Sequence, residues 1–114
     1  MKKTRYIIVD ETMGVFLGTY SGEDLGMDTG KTYACFAANN PFKLVTACAF
    51  ETREMAETFI ENVFPSSRAC YLDIFTVQSE SEFPTVVEII KSGHADYTFN
   101  MLEGMFDNEN QVVH

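Results

Sequence analysis

The chain has 114 residues, of which 46% are hydrophobic and 13% aromatic, and its formal charge at neutral pH is −9. This length fits a single domain, and the apolar content argues against wholesale disorder, because a core can offset the entropy lost when the chain is ordered. The net charge disfavours direct binding to nucleic acid or to an anionic membrane surface, since both are themselves negatively charged.

The N-terminal third predicts a β-hairpin followed by a polar loop. Thr4 to Val9 and Val15 to Tyr20 are runs of β-forming residues, joined by a polar connection that includes Gly14. Residues 21–30 then carry three glycines and three acids, a composition too polar for burial and too rich in glycine for a helix. We expect a flexible acidic surface loop there.

The middle of the chain predicts a second hairpin and an amphipathic helix. Lys31 to Ala37 and Lys43 to Phe50 are strand-like and flank an Asn-Asn-Pro turn. Thr52 is placed as an N-cap, and Arg53 to Phe64 has helical hydrophobic spacing. We expect the apolar stripe of this helix to pack on the sheet; its members are Met55, Ala56, Phe59, Ile60, Val63 and Phe64.

The C-terminal half predicts a fifth strand and two further helices. Ala69 to Val77 alternates as a strand does, Pro84 begins a short helix that stops at Ser92-Gly93, and Tyr97 to Phe106 has helical spacing. A frayed tail is expected over about 108–114. The order β-β-β-β-α-β-α-α indicates an α+β fold, a single domain over 1–114 with a largely antiparallel sheet of about five strands and helices packed on one face.

Three cysteines, Cys35, Cys48 and Cys70, each lie in an apolar, strand-like run. An odd number cannot all pair within one chain, so free, buried thiols in a reducing compartment are expected. No apolar run approaches the ~20 residues that cross a bilayer, and the start of the chain lacks the long apolar stretch of a secretory signal. These observations predict a soluble protein of the cytoplasm, or of the host cytoplasm if the protein is viral.

The acidic loop contains fragments of known motifs. Gly30-Lys31-Thr32 matches the end of a phosphate-binding loop, but the first glycine of that motif would fall at Leu25. Asp28-Thr29-Gly30 resembles the core of the aspartic protease signature, which in that family follows a hydrophobic strand rather than Gly26-Met27. Glu23, Asp24 and Asp28 could supply oxygens to a hard cation, without the spacing of an EF-hand. We interpret the segment as a solvated loop.

No catalytic constellation emerges from the sequence. His94 is followed by Asp96, but neither an orienting acid nor a nucleophile can be assigned to it, and a polar residue between helices is the preferred interpretation. We expect no enzymatic activity, no cofactor and no metal.

The acidic side chains are the remaining candidates. From Tyr6 onward the chain has seventeen acidic and five basic residues, a net of −12. The candidate partner-binding residues are Glu54, Glu57, Glu61, Glu88, Glu103 and Asp107. They predict a small protein-binding or inhibitory module that engages a basic surface of a partner protein, such as a nucleic-acid-binding protein; by analogy, viral and mobile-element genomes use such modules against host machinery.

Three alternatives stay open. Charge of this kind often only keeps a small protein in solution. A small-ligand protein would bind a nucleotide or metabolite between sheet and helices, with the 21–30 loop as a lid. A homodimer would bury Tyr97, Met101 and Phe106 across a two-fold axis.

Overall fold

The computed structural model describes residues 1–102. Its fold is an antiparallel sheet built around one central strand, with helices packed against it. The elements in chain order are β1 (Lys3–Asp10), β2 (Gly14–Ser21), β3 (Thr32–Phe36), β4 (Ala49–Phe50), α1 (Arg53–Val63), α2 (Ser66–Ala69), β5 (Leu72–Ser79), α3 (Val86–Lys91) and a 3₁₀ helix (Ala95–Tyr97). The α+β class and the five-stranded, mostly antiparallel sheet predicted from the sequence are confirmed.

Strand β1 pairs with three other strands, all antiparallel. Along one edge it pairs with β5 over its full length, from Lys3 opposite Ser79 to Asp10 opposite Leu72. Along the other edge it pairs with β4 at its middle, through Tyr6 and Ile7, and with β2 at its end, and β2 in turn pairs with β3. The predicted first hairpin is therefore present as β1 and β2.

The second predicted hairpin is wrong. Strand β3 pairs with β2, and only Ala49–Phe50 of the expected strand from Lys43 forms a strand, paired with β1. The Asn40 side chain bonds both the N–H and the C=O of Leu44, at 2.8 and 2.9 Å, which turns the chain away from β3. The run then meets the start of α3, where Val86 N donates to Val45 O at 2.8 Å.

Helices cover both faces of the sheet, which corrects the expectation that they share one face. Because side chains alternate along a strand, Ile7 of β1 faces one side and Ile8 the other. Ile7 belongs to the same core cluster as Ile89 of α3, whereas Ile8 belongs to the cluster that contains Ile60 of α1. The apolar stripe of each helix was recognised from the sequence. The face of the sheet on which each helix packs depends on how the chain crosses the sheet, which hydrophobic periodicity does not encode.

Helix α1 begins and ends as predicted but buries a narrower stripe. The Thr52 side chain accepts a bond from Met55 N at 3.1 Å, and the helix stops before Pro65. Ala56, Ile60 and Phe64 are buried in the sheet-facing core. Met55 and Val63, which were expected to be buried with them, are 49% and 44% exposed. The buried residues recur every four positions. Met55 and Val63 each precede a buried residue by one position, which places them about 100° around the helix axis from the buried row.

A four-residue helix, α2, replaces the start of the predicted fifth strand. Arg68 N and Ala69 N both donate to Pro65 O at 2.9 Å, and β5 begins only at Leu72. Cys70, expected to be buried in that strand, therefore sits at the end of α2 and is exposed.

The C-terminal helices agree with the sequence only in part. Helix α3 spans Val86–Lys91 with Ser92 as its C-cap, which agrees with the predicted stop at Ser92-Gly93. Pro84, predicted to lie in the first helical turn, instead precedes the N-cap Thr85. The third predicted helix is wrong at its start: a 3₁₀ helix ends at Tyr97, where that helix was expected to begin, and residues 98–100 are not helical. The part of its range beyond residue 102 lies outside the described residues, as does the predicted frayed tail over about 108–114.

Candidate functional site

The outer surface of α1 carries three carboxylates on neighbouring turns. Glu54, Glu57 and Glu61, here called the acidic stripe, are all exposed. Within residues 1–102 no hydrogen bond or ion pair engages their side chains, since the acidic partners of the ion pairs found there are Asp10, Asp28 and Glu51. The stripe therefore keeps its full charge available to solvent or to a partner.

An apolar groove runs along the other flank of α1. It has a volume of about 600 Å³, and its apolar walls are Phe50, Met55, Phe59 and Val63, here called the apolar groove. Polar side chains of Thr52, Thr58 and Asn62 line the same space. Glu54 also lines it, so the groove and the acidic stripe meet at that residue. Exposed apolar side chains that lie together, unlike single ones scattered over a surface, are typical of interaction sites.

Aromatic packing holds the groove in place from below. The Phe59 ring lies 5.2 Å from the Phe50 ring and 5.6 Å from the Phe16 ring, measured between centroids. Phe16 is fully buried and also contacts Phe36 and Phe64, with centroids 5.4 and 5.6 Å apart. Aromatic pairs at such distances contribute beyond their buried area, so α1 is presented on a rigid base.

A polar cleft lies between α1 and β5, on the acidic side of the helix. It has a volume of about 360 Å³ and includes Glu57, Glu61 and Asp73, together with Arg53. The Arg53 guanidinium is 5.9 Å from the centroid of the Tyr6 ring and bonds Ile74 O at 3.5 Å. The Arg53 guanidinium is therefore engaged at the end of the cleft. The remaining charge of the cleft is negative and comes from the carboxylates of Glu57, Glu61 and Asp73.

The other predicted partner-binding residues are not brought to α1. The Glu88 carboxylate accepts bonds from Ser79 Oγ, Glu80 N and Thr85 N at 2.9, 2.9 and 3.0 Å. Burial tends to raise the pKa of Glu88, but these hydrogen bonds outweigh burial and lower it. Glu88 thus completes the capping box of α3. Glu103 and Asp107 lie outside the described residues.

The loop over residues 21–30 is closed by its own backbone. Gly22 N donates to Lys31 O at 2.7 Å, and Met27 N donates to Gly22 O at 2.6 Å. The Asp28 carboxylate lies 3.5 Å from Lys31 Nζ. Residues Lys31 and Thr32 lead into β3 and not into a helix, so the phosphate-loop fragment lacks helical amides that could hold a phosphate.

A small cavity lies under this loop. It has a volume of about 180 Å³ and is lined by Leu25 and Met27 of the loop and by Tyr33 and Cys35 of β3. Pockets that bind nucleotides or drug-sized metabolites typically have ~300–1,000 Å³. The cavity is smaller than that range.

His94 has a structural position. One ring nitrogen lies 2.9 Å from Thr76 O, and the ring stacks on Phe75 with centroids 4.7 Å apart. These contacts attach the segment after α3 to the outer edge of β5. Among residues 1–102, no group of three or more histidine, cysteine or acidic side chains could hold a metal ion.

The three thiols differ in environment. Cys35 is buried, Cys48 is partly buried and Cys70 is exposed; all are free. Burial raises the pKa of the Cys35 thiol and raises that of Cys48 to about 11. Both therefore stay as unreactive thiols at neutral pH.

Sequence reasoning missed a buried ion pair and the groove itself. Asp10 is only 1% exposed, and its carboxylate accepts bonds from Thr12 N and Met13 N and lies 2.7 Å from Arg68 Nη1. An aspartate just before a tight turn can indicate such backbone bonds, but its pairing with Arg68 follows from the unpredicted α2. The groove was missed because Met55 and Val63 were assigned to the core.

Comparison of the chain with protein-family models, with curated proteins and with solved structures found no match. Within the part of the chain that the structure describes, no helix is both long and apolar enough to span a bilayer.

Proposed function

We propose that this protein is a small acidic binding module that engages a basic surface of a partner protein through the outer surface of α1. The observation that carries the proposal is that an unpaired acidic stripe and an apolar groove occupy the two flanks of the same exposed helix, with Glu54 belonging to both. Either feature alone is common on small proteins, but together they supply long-range attraction and short-range contact area.

The proposed mechanism has two stages. The net charge of −9 attracts a basic surface over roughly 8–10 Å, the screening distance at ordinary ionic strength. Once in contact, Glu54, Glu57 and Glu61 pair with lysine or arginine side chains while the groove excludes water from the contact. A partner that uses the same basic surface for nucleic acid would be inhibited by occupation of that surface, by analogy with cytoplasmic antagonists that viral and mobile-element genomes encode.

Capture experiments with charge-matched variants test the proposal. The test variant is Glu54→Gln, Glu57→Gln, Glu61→Gln, and the control is Glu11→Gln, Glu23→Gln, Glu82→Gln, whose residues are also exposed but lie elsewhere. Both variants lose the same three charges. Immobilised wild type should retain basic proteins from a lysate at low salt and release them as salt is raised, because exposed ion pairs are screened.

The test variant should lose this retention and the control variant should keep most of it. Equal retention by both variants would show that only net charge matters, and absence of any salt-sensitive basic protein would contradict the proposal.

The small-ligand alternative stays a prediction. Thermal-shift measurements with nucleotides test it, since a ligand at 100 times its Kd stabilises the folded protein by ~2.7 kcal/mol.

A further inference from the structure

We infer that the outer edge of β5, the side that is not paired with β1, is a strand-pairing surface for a second copy of this chain and is held closed by His94. The inference goes beyond the proposed function and concerns β5 rather than the outer surface of α1. It depends on the backbone groups at this edge, on the side chains that cover them and on the charges at its two ends.

Strand β5 has an edge with outward-facing backbone groups. It pairs with β1 from Leu72 to Ser79, and among residues 1–102 no strand pairs along its other side. In an antiparallel pair, residues whose N–H and C=O face the neighbouring strand alternate with residues whose groups face away. Thr76 O and Gln78 N bond side chains from outside the β1–β5 pair, so both residues face outward. An edge of this kind is a template for a further strand.

His94 covers the middle of this edge. Its Nε2 donates to Thr76 O at 2.9 Å, because a carbonyl oxygen can only accept. The ring is held in that position by stacking on Phe75, with centroids 4.7 Å apart, and Phe75 also contacts the Tyr97 ring at 5.4 Å. The imidazole therefore occupies the place beside Thr76 that an added strand would take.

Two weaker contacts flank His94. Gln78 N donates to Ser92 Oγ at 3.2 Å, and Arg53 Nη2 donates to Ile74 O at 3.5 Å, which is the limit of a hydrogen bond. His94 makes the shortest of the three bonds and is the only one of the three side chains stacked on β5 itself among the described contacts. It is therefore the contact that decides whether the edge is open.

The two ends of the edge carry opposite charges. Beside residues 72–74 lies the polar cleft between α1 and β5, in which three carboxylates outnumber one guanidinium. Beside Thr76 and Gln78 lies a pocket of about 370 Å³ that is lined by Lys2 and Lys91 and by no acidic residue. Neither lysine forms an ion pair within residues 1–102. One end of the edge is thus acidic and the other is basic.

This arrangement of charge favours a second copy as the occupant. When two copies of β5 pair antiparallel about Phe75, Leu72 of one copy lies opposite Gln78 of the other, and Ile74 lies opposite Thr76. Each acidic cleft then meets the lysine-lined pocket of the other copy, once on each side of the two-fold axis. The net charge of −9 opposes association at long range, whereas the charges at the edge favour this pairing.

Sedimentation velocity over a range of concentrations tests the inference. Wild type should stay monomeric. His94→Ala removes both the bond to Thr76 O and the ring stacked on Phe75, so this variant should shift to the doubled mass as its concentration rises. His94→Gln is the conservative control, because its amide can still donate to Thr76 O, and it should stay monomeric. Circular dichroism should show both variants folded.

Further variants in the His94→Ala background identify the surface. Thr76→Pro removes an outward-facing N–H and leaves the β1–β5 ladder intact, so it should return His94→Ala to the monomer. Lys91→Gln should weaken dimerisation of His94→Ala by at least about threefold, because each copy loses a charge that faces the acidic cleft. The matched control, Lys31→Gln, removes the same charge from the 21–30 loop region and should leave dimerisation unchanged.

A folded His94→Ala variant that stays monomeric at every concentration would overturn the inference. A His94→Ala dimer that persists with Thr76→Pro would also overturn it, because the copies would then associate through another surface. A wild type that already dimerises through β5 would show that His94 does not close the edge. Capture of a basic partner by wild type does not depend on any of these results, so failure of this inference leaves the proposed function standing.

Discussion

Replacing Phe16 by alanine should remove the base on which α1 rests. Phe16 is fully buried, and its ring contacts those of Phe36, Phe59 and Phe64 at 5.4 to 5.6 Å. A buried Phe→Ala change costs ~3–5 kcal/mol through lost burial and the cavity left behind. Because three aromatic contacts are lost together, the expected loss lies near the upper end, ~4–5 kcal/mol.

That loss is a large part of the ~5–15 kcal/mol by which domains of this size are stable. At an unfolding entropy of ~2.1 cal/mol/K per residue, it corresponds to a fall in Tm of about 20 °C. Chemical denaturation followed by circular dichroism measures it. The control is Phe83→Ala, because Phe83 is 51% exposed and its loss should cost less than about 1 kcal/mol. If Phe16→Ala cost no more than Phe83→Ala, the packing of α1 described above would be wrong.

Three further predictions concern single sites. The pKa of Glu88 is lowered from its ordinary 4.5, so ionised Glu88 stabilises the fold fully above that pH, and this stabilisation is lost as the pH falls through the folded-state pKa. Glu88→Gln should therefore lower Tm at pH 7 and reduce the fall in Tm on acidification. An unchanged curve of Tm against pH would refute this. Native protein should show one fast-reacting thiol at pH 8, abolished by Cys70→Ser, with all three reacting in denaturant; fast reaction of two would contradict the burial of Cys35 and Cys48. A Cβ at Gly22 would collide with Asp28 O, so Gly22→Ala should cost ~1–3 kcal/mol and open the 21–30 loop to protease; unchanged cleavage would argue against the loop structure.

Local patterns in the sequence predicted local structure well. The limits of α1 followed from Thr52, the helical spacing and Pro65, and the end of α3 followed from Ser92-Gly93. These features act over a few residues, through capping and backbone sterics, and so can be read without the rest of the fold.

Long-range arrangement could not be predicted in the same way. The run from Lys43 has strand-like composition, yet side-chain bonds from Asn40 and backbone bonds to the start of α3 take it away from β3. Apolar spacing likewise placed Met55 and Val63 in the core, but the sheet covers only the row of Ala56, Ile60 and Phe64.

The candidate site likewise contains residues that a local pattern indicated and residues whose role depends on long-range packing. Glu54, Glu57 and Glu61 were recognised as one helical stripe, because i, i+3 and i+4 residues share a face. Glu88 was included on charge alone, and its hydrogen bonds to Ser79 and Glu80 depend on the approach of α3 to β5. The groove arises where β4 meets α1, so no sequence signal within either element indicates it.

Hydrogen exchange on the protein with and without a synthetic basic peptide of lysine and leucine tests the central claim most directly. If the outer surface of α1 is the binding site, backbone amides from Thr52 to Val63 should become protected, and those of α3, Val86–Lys91, should not change. Protection confined to the acidic loop over residues 21–30 or to α3, with α1 unaffected, would contradict the account.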